Sequence, residues 1–147
     1  MSERSNRAVE KFKNGYSCAQ AVVFAFSDKL PFDVDVGLKI ACGFGAGMGR
    51  KEEVCGAVSG GILVIGSKYG RGENDDSTYK EQTYQKVNEI MDRFKREHGS
   101  WICRELLGGC ELTSEEGKKQ FEEKNLSDTV CKRCVESIVA ILEQDLK

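Results

Sequence analysis

The chain has 147 residues, one proline, seven cysteines, one histidine and a formal net charge of −2 at pH 7. This length suits one domain, 1–147, with a buried core. The near-balanced charge and the lack of a basic tail exclude the electrostatic footprint of a nucleic-acid partner. Scarce proline and long runs of Glu, Lys, Gln and Ala point to helices.

Arg4 to Lys13 reads as a helix with Ala8, Val9 and Phe12 on one face, stopped by Asn14-Gly15. Ser17 followed by Gln20 is a capping-box pattern and opens a second helix, with Ala19, Val22, Val23 and Phe26 apolar and Pro31 closing the unit. Asp33 or Asp35 caps a third helix through Leu38, Ile40 and Ala41, which dissolves into a glycine-rich loop, Gly43 to Gly49. Val54 to Tyr69 is apolar nearly all round, as expected of a central helix.

Ser77 to His98 is a long amphipathic helix with Tyr84, Val87, Ile90, Met91 and Phe94 inward, ended by Gly99. "SWICRELLGG" reads as a short helix capped by Ser100 and stopped at Gly108. Ser114 to Lys124 is polar and expected at the surface. A last helix starts at Ser127 or Asp128, with Val130, Cys134, Ile138 and Ile141 or Leu142 as its stripe. The expected architecture is an all-α, single-domain bundle of about six or seven helices around a central glycine-rich apolar helix.

The opening "MSERSNRAVEKF" is charged and has no apolar h-region, so no secretory signal is expected. The longest uncharged run, Val54 to Ser67, is too short to span a bilayer. A cytoplasmic location without membrane insertion follows as the expectation. In a reducing compartment seven cysteines suggest metal or redox roles rather than a disulfide framework.

Cys18 falls just after the Ser17 cap, Cys55 near the start of the apolar helix, Cys103 shortly after Ser100, and Cys131 shortly after Asp128. A helix start carries unpaired N–H groups and partial positive charge, which favour thiolate over thiol. Arg50, Lys51, Arg104, Lys132 and Arg133 add nearby cations. Gly56, Gly60 and Gly61 offer a small-residue face on which a neighbouring helix or a cofactor can close, and the expectation is that they clear room around Cys55. Ordinary close helix packing explains the same glycines.

Other motifs are poorer. "GFGAGMG" has neither the preceding strand nor the spacing of a dinucleotide fingerprint, and "GMGRK" lacks the spacing and terminal hydroxyl of a phosphate loop. Cys131-Lys132-Arg133-Cys134 is a C-x-x-C without β-α-β context, and Val135 stands where covalent haem attachment requires histidine. Cys103, Cys110, Cys131 and Cys134 form a second-ranked zinc set. His98 either complements its helix C-terminus or serves as a proton partner for Cys103.

"GYSCAQAV", "GFGAGMGRKEEVCGAVSGG", "IGSKYGR" and "HGSWICRELLG", with a cysteine in the last helix, together resemble the C-GCAxxG-C-C family, whose members are named as redox-active. The resemblance covers nearly the whole chain. It implies that Cys18, Cys55, Cys103 and Cys131 are the defining cysteines, and that Cys42, Cys110 and Cys134 are extra and structural.

The functional expectation is a redox-active protein in which Cys18, Cys55, Cys103 and Cys131 converge on one site. Its first form is a metal centre for electron transfer, an iron–sulfur cluster ahead of zinc. Its second form is metal-free thiol–disulfide exchange with Cys55 attacking. Gly56, Gly60, Arg50 and His98 are the candidate cofactor-binding residues. A non-catalytic module binding a small ligand or partner, with inert buried cysteines, is the alternative from another class. The amphipathic helices allow a homodimer.

Overall fold

Ser2 opens the first helix by accepting a hydrogen bond from the Ser5 N–H, and α1 runs Glu3–Lys13. In this computed structural model, which describes residues 2–146, the next helices are α2 (Cys18–Ala25), α3 (Val34–Cys42) and a short helical turn α4 (Gly45–Met48). They are followed by α5 (Gly56–Tyr69), α6 (Ser77–His98), a one-turn α7 (Cys103–Leu106), α8 (Glu115–Glu123) and α9 (Lys132–Asp145). A 3-10 turn, Ser27–Lys29, follows α2, and a π-helical turn, Ser127–Cys131, leads directly into α9. The described residues contain no strand, only an isolated antiparallel bridge between Val54 and Ile102. No helix among them is long and apolar enough to cross a membrane.

Local sequence accounts for most of these boundaries. Ser17 and Gln20 form both halves of a capping box on α2. Asp33 caps α3, Asp76 caps α6 and Ser114 caps α8. Gly99, at φ +86°, ends α6 in the left-handed conformation.

The helices are more numerous than the six or seven expected, because the single turns α4 and α7 stand as separate elements. The expected helix over Val54–Tyr69 begins later, at Gly56. Long-range bonds hold the preceding backbone extended: Cys55 N–H to Trp101 O (2.8 Å) and Cys103 N–H to Glu53 O (2.6 Å). For the same reason Ile102, not Ser100, is the N-cap of α7, while the Ser100 hydroxyl accepts from the Ile102 N–H. Tyr84 is exposed rather than inward, because the first turns of α6 are solvent-facing. Burial of its inner face becomes complete only at Ile90 and Phe94.

The main core joins α1, α2, α5, α6 and α9. Val22, Phe26, Val58, Ile65, Ile90, Phe94, Ile138 and Leu142 are almost wholly removed from water, each worth about 1.5–3 kcal/mol relative to exposure. The N-terminal half of α5 lies directly on α2. A Cβ at Gly60 would stand 2.8 Å from Ala19 O, and one at Gly56 would stand 3.1 Å from Cys18 Cβ. Only glycine permits this approach, so the helix-propensity cost of about 0.5–1 kcal/mol per residue is offset by close contact of α2 and α5. A smaller cluster of Cys103, Leu107, Cys110 and Leu126 packs beside the main core and shares Val130 and Cys131 with it.

The glycine-rich segment is not an open loop. Ala46, Gly47, Met48, Gly49 and Arg50 all have positive φ, from 52° to 71°. They form a left-handed turn closed by Met48 N–H to Phe44 O and Gly49 N–H to Gly45 O. A non-glycine residue in this conformation costs roughly 1–2 kcal/mol, so surrounding bonds must maintain it. They include Glu52 N–H to Ala46 O, Glu53 N–H to Gly47 O and Arg104 Nη2 to Lys51 O.

Candidate thiol site

Where α2, α5 and α7 begin and the last helical rod passes them, the fold leaves a cavity of about 460 Å³. Its lining includes Cys18, Cys42, Cys55, Cys103, Cys131 and Cys134, with an apolar wall of side chains such as Phe12, Leu106, Leu107, Leu112, Phe121 and Val130. Three of the four motif cysteines stand at the opening of a helix. Cys18 is the first residue of α2, Cys55 is the N-cap of α5, Cys103 is the first residue of α7, and Cys131 closes the π-helical turn before α9.

Their environments differ. Hydrogen bonding with the Cys134 thiol lowers the Cys55 pKa, and the backbone N–H groups of Ala57 and Val58 at the start of α5 lower it further, against the opposing effect of burial. The same pairing raises Cys134, together with its burial. Cys18 is raised by hydrogen bonding with Cys131 and by burial. Cys103 is pushed up to about 12 by burial and by the negative charge of Cys55, Cys131 and Glu52 nearby. Interaction with the Cys134 thiol, aided by the N–H groups at the start of α5, therefore outweighs burial at Cys55, whereas burial and neighbouring sulfur prevail at Cys18 and Cys103.

The strongest thiol interactions are Cys55 with Cys134 and Cys18 with Cys131, and Cys103 lies close enough to feel Cys55 and Cys131. Among the described residues no group of three or more His, Cys, Asp or Glu side chains is placed to hold a metal ion, and no disulfide is formed. Cys131 and Cys134 lie three positions apart on one helical face, so each meets the start of a different helix. The C-x-x-C spacing thus serves two thiol interactions with residues distant in sequence.

Cys134 was expected to be structural, and it is 1% exposed, yet its thiol faces Cys55 and the cavity. Its place in the apolar stripe concealed this; the signal available was its separation by three from Cys131. Cys42 is exposed and also lines the cavity. Cys110 is buried outside it and donates to Gly117 O at 3.0 Å, so the zinc set of Cys103, Cys110, Cys131 and Cys134 is not assembled.

Of the other candidates, Arg50 and Gly56 line the cavity. Gly60 lies against the Ala19 backbone instead. His98 is stacked on Phe94 with ring centroids 4.4 Å apart and hydrogen-bonds Ser137 Oγ at 2.7 Å. Burial lowers its pKa, and it is not among the cavity-lining residues. Glu52 was not singled out from the sequence. It is 4% exposed, its Oε1 accepts from the Leu112 N–H, and its Oε2 has no hydrogen-bond partner.

No curated protein and no solved structure matches the chain. A family described as "Putative redox-active protein (C_GCAxxG_C_C)" matches residues 16–144. That span contains all seven cysteines and every helix of the cavity wall except α1, and the chain belongs to this C_GCAxxG_C_C family.

Proposed function

We propose that the protein is a dithiol redox protein in which Cys55 and Cys134 exchange electrons with a disulfide that enters the cavity. The observation supporting this most is that Cys55, at the start of α5, and Cys134, on α9, line one cavity as free thiols. An attacking sulfur must be a thiolate, so the more acidic Cys55 attacks first and the less acidic Cys134 resolves the mixed disulfide.

In the reductive direction, the Cys55 thiolate attacks one sulfur of the incoming disulfide. That S–S bond breaks, its other sulfur leaves as a thiolate, and a mixed disulfide joins Cys55 to the substrate. Cys134 then gives up its proton and attacks the Cys55 sulfur, and the second substrate thiolate leaves. The departing thiolates take up the Cys134 proton and one proton from solvent. Two electrons pass to the substrate, and Cys55–Cys134 becomes a disulfide. Cys18 and Cys131 form a second dithiol at the same cavity, placed to support exchange with the first.

A shared metal centre on Cys18, Cys55, Cys103 and Cys131 is the competing reading. Protein purified without oxygen decides between them through thiol titration, iron, sulfide and zinc content, and mass spectrometry after reaction with a small disulfide. Dithiol exchange predicts free thiols, little bound metal and a Cys55–Cys134 disulfide. Stoichiometric metal that shields the four motif cysteines and is lost on Cys→Ser substitution overturns it.

A further inference from the structure

The cavity holds its two reacting thiols almost out of reach of solvent, and one cationic residue lines it. Cys55 is 6% exposed and Cys134 1%, so only a molecule small enough to enter about 460 Å³ reaches them. That volume lies within the usual range for small-ligand sites. Its lining residues are otherwise apolar, thiol or small polar, and Arg50 is the one charged residue among them. Arg50 is exposed and forms no salt bridge among the described residues.

The backbone that carries Arg50 is held in place. Arg50, at φ +69°, completes the left-handed turn from Ala46. Each non-glycine residue held this way opposes its own preference, and the turn is clamped by the Glu52 and Glu53 N–H bonds and by Arg104 on Lys51 O. The clamped turn fixes the Arg50 backbone, and Arg50 lines the cavity. The net charge of −2 offers no general attraction for anions, so selection for negative charge must come from this local cation.

We infer that the cavity selects low-molecular-weight disulfides carrying a carboxylate, with Arg50 engaging the carboxylate while Cys55 attacks the sulfur. This rests on the dithiol reading. Guanidinium suits the carboxylate because it donates two parallel hydrogen bonds, and the apolar wall receives the remainder of the molecule. The bonds made and broken are those of the exchange described above.

The test uses the full-length reduced protein and two probes, dithiobis(nitrobenzoate), an anionic disulfide, and dithiodipyridine, a neutral one. Rate constants for Cys55 are read by stopped flow, with the site assigned by mass spectrometry, in the wild type and in Arg50→Gln and Arg50→Lys. The expected result is a fall of about fivefold in the ratio of anionic to neutral rate constants for Arg50→Gln, the upper end for an exposed ion pair. Arg50→Lys should restore part of it, and high salt should lower the ratio in the wild type but not in Arg50→Gln. If Cys55 reacts with both probes and the ratio does not move, the anion selectivity is overturned and the dithiol reading survives. If Cys55 reacts with neither while other thiols do, both fall. Matching circular dichroism spectra separate these outcomes from loss of fold.

Discussion

Cys55, at the cap of α5, and Cys134, on α9, line the same cavity, and their interaction makes the first more acidic and the second less so. Cys55 comes from the cap of α5, where Ala57 and Val58 present free N–H groups. Cys134 comes from the apolar stripe of α9. A helix start and a core stripe thus meet to make two chemically distinct thiols from one residue type.

This asymmetry predicts which variant traps substrate. Cys134→Ser should accumulate a stable mixed disulfide on Cys55 after addition of a small disulfide, visible as an adduct by mass spectrometry. Cys55→Ser should abolish that adduct and leave Cys134 slow to react. Equal trapping by both variants would show that the thiols are interchangeable.

Alkaline pH should destabilise the reduced protein. Cys18, Cys103 and Cys134 have raised pKa values when folded, Cys103 reaching about 12 against an ordinary 9.0. Above pH 9 the unfolded chain releases these protons while the folded chain keeps them, so the folded state binds more protons and stability falls with pH. The loss should begin near pH 9 and continue toward 12. Cys55, lowered when folded, contributes with the opposite sign, its stabilisation being complete above the unfolded value. Urea unfolding under reductant should give a midpoint that declines through this window, and less steeply in Cys103→Ala.

The small-residue face of α5 should be tight at one glycine and loose at another. Gly60→Ala places a Cβ 2.8 Å from Ala19 O and 3.0 Å from Ala19 Cα. Forcing α2 and α5 apart should cost about 1–3 kcal/mol. Gly66 has nothing within 4 Å of its added Cβ, so Gly66→Ala should stabilise by roughly 0.5–1 kcal/mol through helix propensity. Urea midpoints moving in opposite directions would establish close approach as the reason for Gly60.

The capping box of α2 holds the backbone that carries Cys18. Ser17→Ala removes the acceptor for the Gln20 N–H and should cost about 1 kcal/mol. Hydrogen exchange should quicken at Cys18 to Ala21 more than in α6, which has its own cap at Asp76.

The sequence by itself determined where most helices lie, because caps and apolar periodicity are local. Ser17 with Gln20, Asp33, Ser77–His98 with Gly99, and the stripe Cys134, Ile138 and Leu142 can all be read within a few turns of chain. It also placed Cys18, Cys55, Cys103 and Cys131 in the first turns of four expected helices. Tertiary structure alone decided which sulfur meets which, since the Cys55–Cys134 and Cys18–Cys131 pairs depend on how α2, α5 and α9 cross. It decided that Cys55 starts α5 as its cap, because extended pairing of Glu53 and Cys55 with Cys103 and Trp101 displaces the helix that local apolarity favours. It likewise turned the glycine-rich segment left-handed, where bonds from Glu52, Glu53 and Arg104 outweigh the local preference of Ala46, Met48 and Arg50. Local propensity is worth less than 1 kcal/mol for an ordinary residue, and a few long-range hydrogen bonds and close contacts exceed it.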